Sequence, residues 1–244
     1  MSGWNYVKIF SPAALLAWPL LFFSCMEQTV NPASGKFIDK RDKHEYQWVT
    51  IGTQTWMAEN LAWLPAVSPP AMGSDTEPFY YVFGYDGTDV NAARRTNGFS
   101  SYGVFYNWVA AMNLADSSSG QSEIRGVCPE GWHMPTDEEW DVLVDFLGGD
   151  AIAGKKMKST KSWKTYDGTS GKGDNSSGFN GLPAGSRNNI GVFYEIGYNA
   201  LFWSSTQSGD YSAWYRHLGY NHTGVNRYFL NKSFGFSVRC VQDI

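Results

Sequence analysis

Two stretches carry most of the structural information: Cys128-Pro-Glu-Gly-Trp-His-Met-Pro-Thr-Asp-Glu-Glu-Trp140, and Gly235-Phe-Ser-Val-Arg-Cys240 close to the C-terminus. Each contains one cysteine, and the third cysteine, Cys25, follows a segment with the features of an export signal. In an exported chain, Cys128 and Cys240 are therefore expected to pair as a disulfide. A reactive thiol is one alternative. A metal pair is another, although no further ligands flank either cysteine.

The first stretch also predicts the clearest helix of the chain. Thr136 and Glu139 have the spacing of a capping box, and Gly148-Gly149 would end the helix. Apolar side chains recur at the helical spacing, and they are Trp140, Leu143, Val144 and Leu147. The helix acids are expected to form a solvated face rather than an acid–base pair, and they are Glu138, Glu139 and Asp141. A second helix is expected over Ala151–Ser159, with its lysines outward: Lys155, Lys156 and Lys158.

The N-terminus has the pattern of an export signal. Residues 1–24 contain one charged residue, Lys8, and then the mostly apolar run Ile9–Phe23, which is short for a membrane span. Cys25 follows a small residue, as the acylated cysteine of a bacterial lipoprotein does. We expect a lipoprotein-type signal peptide (1–24), a tether (25–36) and a lipid anchor at the bacterial outer membrane or cell surface. The alternative is a plain cleaved signal peptide, with Cys25 removed or left free.

The remaining chain, residues 37–244, is long enough for one domain with a substantial core. The whole sequence has a formal net charge of −4 and no basic stripe or arginine cluster, so a nucleic-acid partner is not expected. Many aromatic residues and glycines with few charges suit a loop-rich exported domain. They also suit sugar or protein recognition, because rigid amphipathic rings give contact area at low entropy cost.

Short β-prone segments alternate with turns along this domain. Tyr46–Ile51 and Thr55–Met57 flank a glycine-containing turn and predict a hairpin. Further strand candidates are Tyr80–Tyr85, Gly103–Trp108, Ala200–Ser205, Ala213–Leu218, Asn226–Leu230 and Phe236–Val241. A helix is also possible over Asn107–Leu114, and Pro65–Pro78 is predicted to be a surface loop. The pattern indicates an α+β domain with short strands, one or two main helices and much loop.

Six strings in this order resemble the Fibrobacter succinogenes major paralogous domain family: VTIGTQTWMAENL (49–61), CPEGWHMPTDEEW (128–140), AGKKMKST (153–160), GFNGLPAGSR (178–187), LFWSST (201–206) and GFSVRCVQD (235–243). The resemblance covers about residues 37–244. It implies an exported or lipid-anchored bacterial surface protein. It also implies a C-type-lectin-like fold, shared with domains of the formylglycine-generating-enzyme type, because the HMPTDEEW helix start and the closing GFSVRC strand are similar there.

The expected function is non-catalytic binding of a glycan or a protein at the cell surface. The segment Tyr211–Lys232 is dense in rings and amides, and its candidate ligand-binding residues are Tyr211, Trp214, Arg216, His217, Tyr220, Asn221, His222, Asn226, Arg227, Tyr228 and Asn231. If Ala213, Tyr215 and Leu218 pack inward, Trp214 and Arg216 are expected to face outward. The alternative is a β-rich core segment with a decorated solvent face.

Other functions remain open. The same segment has the composition of C-terminal regions that retroelements diversify in some bacterial C-type-lectin-like proteins. An enzyme related to formylglycine-generating oxidases is another alternative, although Cys128 and Cys240 suit a structural disulfide better than a thiol pair. A structural subunit of a surface assembly ranks last. No cofactor or metal is expected. His217 and His222 are five residues apart and would lie on opposite faces of a straight strand. A turn at Gly219 could bring them together, but a zinc site is not expected there. Asp174, Asn175 and Asn180 match no Ca²⁺ loop.

Overall fold

The computed structural model describes Met1 and residues 32–113 and 124–243. Pro32–Ile244 form one compact unit. The expected signal peptide and the lipidation site Cys25 lie outside the described residues. Among the helices that are described, none has the length and apolar character needed to cross a membrane.

The domain is of mixed α+β class. Its strands, in chain order, are β1 (Ser34–Ile38), β2 (Glu45–Ile51), β3 (Gln54–Met57), β4 (Tyr80–Tyr81), β5 (Phe105–Tyr106), β6 (Trp132–His133), β7 (Thr165–Tyr166), β8 (Thr169–Ser170), β9 (Ser186–Arg187), β10 (Phe193–Tyr194), β11 (Asn199–Gly209), β12 (Ser212–Gly219), β13 (Val225–Asn231) and β14 (Val241–Gln242). Its helices are α1 (Val90–Arg94), α2 (Asn97–Tyr102), α3 (Trp108–Met112), α4 (Asp137–Phe146) and α5 (Ala153–Met157).

A five-stranded antiparallel sheet brings the two ends of the domain together, in the order β1-β2-β3-β14-β6. The predicted hairpin is confirmed as β2–β3, in which Val49 lies opposite Trp56. Strand β1 begins at Ser34, inside the segment that the sequence analysis assigned to the tether. Of the predicted closing strand Phe236–Val241, only the end is regular, and Phe236 and Ser237 make isolated bridges to Tyr106 and Phe202 instead.

Helix α4 begins and packs as the sequence predicts. Thr136 and Glu139 form a complete capping box, and Trp140, Leu143 and Val144 are buried. In the core, the Trp140 ring lies 4.6 Å from that of Trp56 and 5.8 Å from that of Phe202, measured between centroids. Helix α4 therefore ties the first sheet to a second, three-stranded sheet with the order β11-β12-β13.

The expected disulfide is present between Cys128 and Cys240, whose Cα atoms lie 6.0 Å apart. Both cysteines are fully buried. The bond links the segment before β6 to the residue that precedes β14, so it fixes the closing strand of the first sheet. A bridge across so long a loop stabilises a fold by roughly 4–5 kcal/mol in the chain-entropy model.

The side chain of Arg239, beside this disulfide, is completely buried. Its guanidinium donates to the side chain of Asn60 at 2.9 Å and to the carbonyls of Met57, Phe179 and Asn180 at 3.1, 2.5 and 3.0 Å. Asn60 in turn donates to the Ser237 hydroxyl at 3.1 Å. One residue thus satisfies backbone acceptors from strand β3 and from a distant loop.

We predict that Arg239→Met destabilises the domain by about 3–5 kcal/mol, because several buried acceptors lose their donor at once. Urea denaturation of the oxidised protein measures the change. The matched control is Lys40→Met. Lys40 pairs with Glu130 in a highly exposed ion pair, so its loss should leave the free energy of unfolding nearly unchanged. Equal stabilities of the two variants would contradict the role assigned to Arg239.

Candidate functional site

The three-stranded sheet has two different faces, because successive side chains of a strand point to opposite sides. On one face Arg216 lies opposite Arg227, and on the other face Tyr215 lies opposite Tyr228. The eleven candidate ligand residues are therefore divided between two surfaces and do not form a single patch.

The prediction that Arg216 faces outward is wrong, since its side chain is 2% exposed. Its guanidinium donates to the carboxylates of Asp137 and Asp141 on helix α4. Arg227 also donates to Asp137, at 2.6 Å, and its guanidinium covers the half-buried Trp214 ring at 3.4 Å from the centroid. Each of these charged side chains is paired within the domain, and this face of the sheet therefore packs against α4.

The expectation of a solvated acidic face on α4 therefore needs correction. Of the three predicted acids, Glu138 and Asp141 are exposed, whereas Glu139 is half-buried; Asp137, which was not among them, is buried. Glu139 lies 2.8 Å from Nε2 of His133, whose Nδ1 lies 2.8 Å from Asp243. Asp137 joins the helix to two arginines that lie 79 and 90 residues away in the sequence, which helical periodicity alone does not reveal.

The opposite face of the three-stranded sheet borders a groove with a volume of about 410 Å³. Five rings line the groove: Tyr194, Tyr215, Tyr220, Tyr228 and Phe234. Its polar lining is formed by Ser186, Asn188, Glu195, Asn199, His217 and Asn221. Four of the eleven predicted residues, His217, Tyr220, Asn221 and Tyr228, thus meet in this groove, and we take it as the candidate site.

One wall of the groove comes from residues 186–199, which the sequence analysis did not select. Glu195 in this segment has a backbone φ of 61°, which lies in the left-handed region that residues other than glycine rarely adopt. The carboxylate accepts a hydrogen bond from the Asn199 amide. Backbone strain of this kind is concentrated at functional sites. Only the composition of this segment could have identified it as part of the site, because it is rich in Tyr and Asn, as Tyr211–Lys232 is.

The remaining predicted residues lie outside the groove. Tyr211 is 68% exposed in the short turn between β11 and β12, and the side chain of Asn231 accepts from the backbone of Ser233. His222, Asn226 and Arg227 line a neighbouring concavity that meets the groove at Tyr228.

The turn between β12 and β13 is held in place by helix α5 and the residue that follows it. Lys158 is 2% exposed, which corrects its expected outward position. Its ammonium donates to the carbonyls of Gly219 and His222 at 2.9 and 2.8 Å. Gly154 makes a close approach possible, because a Cβ there would lie 2.0 Å from the Gly224 carbonyl oxygen. Burial lowers the pKa of Lys158 to about 8.

Two histidines come together at this turn, with ring centroids 5.7 Å apart. The Asn226 amide lies between them, 3.3 Å from Nδ1 of His217 and 3.1 Å from Nε2 of His222. Burial, with smaller contributions from His222 and Lys158, lowers the pKa of His217 to about 4. Burial also lowers the pKa of His222. His217 is therefore neutral at physiological pH.

Among the described residues, no group of three or more His, Cys, Asp or Glu side chains is arranged to hold a metal ion. The histidine pair is bridged by an amide instead of by a third ligand.

The architecture defines a disulfide-tied α+β domain with a tyrosine-lined groove. The chain matches the model of the Fibrobacter succinogenes major domain over residues 49–242, and it belongs to that family. The resemblance inferred from the six sequence strings is thereby confirmed at the level of the family. Searches of curated proteins and of solved structures returned no match.

The depressed pKa of His217 predicts a loss of stability in acid. An unfolded histidine titrates near pH 6.5, whereas folded His217 stays neutral down to about pH 4. The unfolded state binds more protons in this window, so the His217 contribution is complete above pH 6.5 and is lost as the pH falls towards 4. Between pH 7 and 4.5 this loss is about 2 kcal/mol.

Urea denaturation at these two pH values measures the effect. His217→Gln should show a fall in stability that is smaller than that of the wild type by this amount. Asn221→Ala, an exposed neighbour that carries no titrating proton, should keep the wild-type dependence. A His217→Gln variant with the full wild-type loss would contradict the assignment.

Proposed function

We propose that this protein is a non-catalytic binding module of the bacterial cell surface and that a glycan binds in the groove. The lining carries the proposal, because five aromatic rings alternate there with hydroxyl, amide, imidazole and carboxylate groups. Sugars have apolar ring faces edged by hydroxyls, and this combination of platforms and hydrogen-bonding groups suits them. A volume of about 410 Å³ suits a short saccharide.

We also propose that the fold is C-type-lectin-like. The support is topological, since the first and last strands of the domain meet in one sheet, with β14 beside β3. A second three-stranded sheet, β11-β12-β13, carries the groove together with long connecting segments. The alternative enzyme of the formylglycine-generating type needs free thiols, whereas Cys128 and Cys240 are joined here.

A protein ligand is the second candidate. The observation in its favour is strand β13, which pairs with β12 on one side only within the described residues. Tyr228 and Phe229 on this strand are 49% and 58% exposed. A partner would then cover the outer edge of the sheet rather than fill the groove. Retroelement diversification and a role in a surface assembly remain hypotheses about the same segment.

We predict that Tyr228→Ala weakens glycan binding by about 1–3 kcal/mol, as loss of an aromatic anchor does. The matched control is Phe229→Ala, since Phe229 is adjacent and similarly exposed but points to the opposite face. A glycan array first selects a ligand for the exported chain, and calorimetry then compares the variants. A larger loss for Phe229→Ala than for Tyr228→Ala would favour the protein-docking candidate and contradict the groove.

The proposed anchor makes a separate prediction. Cells supplied with a labelled fatty acid should incorporate the label into the wild-type chain, and Cys25→Ala should abolish incorporation because the acylated thiol is absent. Cys25→Ser is a matched control that preserves side-chain size and should also remain unlabelled. Labelled protein from either variant would show that Cys25 is not the lipidation site.

A further inference from the structure

The protonation of the histidine pair follows from one backbone hydrogen bond. The N–H of Gly224 donates to Nδ1 of His222 at 3.2 Å. A ring nitrogen that accepts a hydrogen bond carries no proton, so a neutral His222 must have its proton on Nε2. This N–H can only donate, and the group 3.1 Å from it is the Asn226 amide.

The amide of Asn226 must therefore present its oxygen to the two rings. The two ends of an asparagine amide have nearly the same shape and are assigned from their hydrogen-bond partners. With nitrogen in this position, His222 would have to accept at both ring nitrogens, which a neutral imidazole does not do. With oxygen there, Asn226 accepts from Nε2 of His222 and also from Nδ1 of His217, 3.3 Å away.

The chain of bonds thus leaves Nε2 of His217 without a proton. His217 lines the groove, and within the described residues its Nε2 makes no hydrogen bond. An unprotonated ring nitrogen without a partner can accept a hydrogen bond from a ligand that reaches it. Across the groove, Glu195 is the only residue of the described lining with a formal charge at neutral pH, and Asn199 donates to one of its oxygens.

We propose that His217 Nε2 and Glu195 act as paired acceptors that select an uncharged sugar, whose hydroxyls donate to both while its ring lies against the tyrosines. His222 and Asn226 are positioning residues, because they fix the tautomer of His217 and lie outside the groove lining. The same acceptors oppose a sugar carboxylate, which brings acceptors and a like charge to Glu195. This inference rests on the proposed glycan-binding function and gives it a ligand class.

The tautomer is tested first, by long-range ¹H–¹⁵N NMR of the histidine rings in the full chain. The expected result is a proton on Nδ1 of His217 and on Nε2 of His222. Asn226→Leu removes the acceptor and should allow Nε2 of His217 to become protonated, whereas Asn226→Asp keeps an acceptor and should preserve protonated Nδ1. A proton on Nε2 of His217 in the wild type would overturn the inference.

Selectivity is tested with matched probes: the methyl glycosides of glucose, galactose and mannose, and the methyl glucuronide and galacturonide. Binding is followed by NMR titration of the full chain. At least one neutral glycoside should bind at least ten times more tightly than either uronide. Glu195→Gln, which keeps the size and one acceptor but removes the charge, should reduce this ratio several-fold.

The outcomes distinguish the ligand class from the glycan-binding function itself. If the uronides bind as well as the neutral glycosides at the same groove resonances, the ligand class is wrong and the glycan-binding function stands. If no glycoside and no array glycan binds, the proposed function fails and the selectivity inference fails with it. If the Glu195→Gln variant kept the wild-type selectivity, the carboxylate of Glu195 would not be what discriminates against acidic sugars.

Discussion

The buried guanidinium of Arg239 is the constraint on which the rest of the domain depends. It is a cation without exposure to water, and its hydrogen-bond acceptors are three backbone carbonyls and one amide side chain. A loop-rich domain has many carbonyls that no sheet partner satisfies, and leaving them buried without donors is costly. A planar group with five donors satisfies several of them at one point. The neighbouring Cys240 is fixed by the disulfide, which also holds Arg239 close to these acceptors.

The same solution recurs next to the groove. Arg187 is fully buried and donates to the carbonyls of Pro70, Met72 and Ser233, while Lys158 donates to Gly219 and His222. Arg187 fixes strand β9 on one side of the groove, and Lys158 fixes the β12–β13 turn on the other. The walls are therefore held by contacts in the interior. For the proposed ligand, a groove preformed in this way reduces the entropy lost on binding.

Local sequence rules predicted the local features well. The β2–β3 hairpin and the Thr136 capping box depend on residues a few positions apart, and both are present. The outward placement of Arg216 and Lys158 was wrong, because the partners of Arg216 are at least 75 residues away and those of Lys158 at least 61. Neither strand alternation nor helical periodicity can reveal partners at such distances in the sequence. For the same reason, only the wall of the groove formed by the three-stranded sheet could be predicted. Tyr228 and Glu195 line the same groove only because of tertiary packing, and Glu195 is part of no sequence motif.

The two faces of strand β12 also differ in how freely they can change. On the α4 face, the buried carboxylate of Asp137 accepts from both Arg216 and Arg227, and Arg216 also donates to Asp141. Removing the Asp137 carboxylate would take away a partner of the buried Arg216 guanidinium, which is costly inside a domain. On the groove face, Tyr220 and Asn221 lie beyond the end of the strand, where the backbone is held by Lys158 rather than by their own side chains. Substitution of Tyr220 or Asn221 therefore leaves the contacts between the sheet and α4 intact. The proposed binding surface could thus change its ligand while the charges that hold the sheet to α4 stay constant.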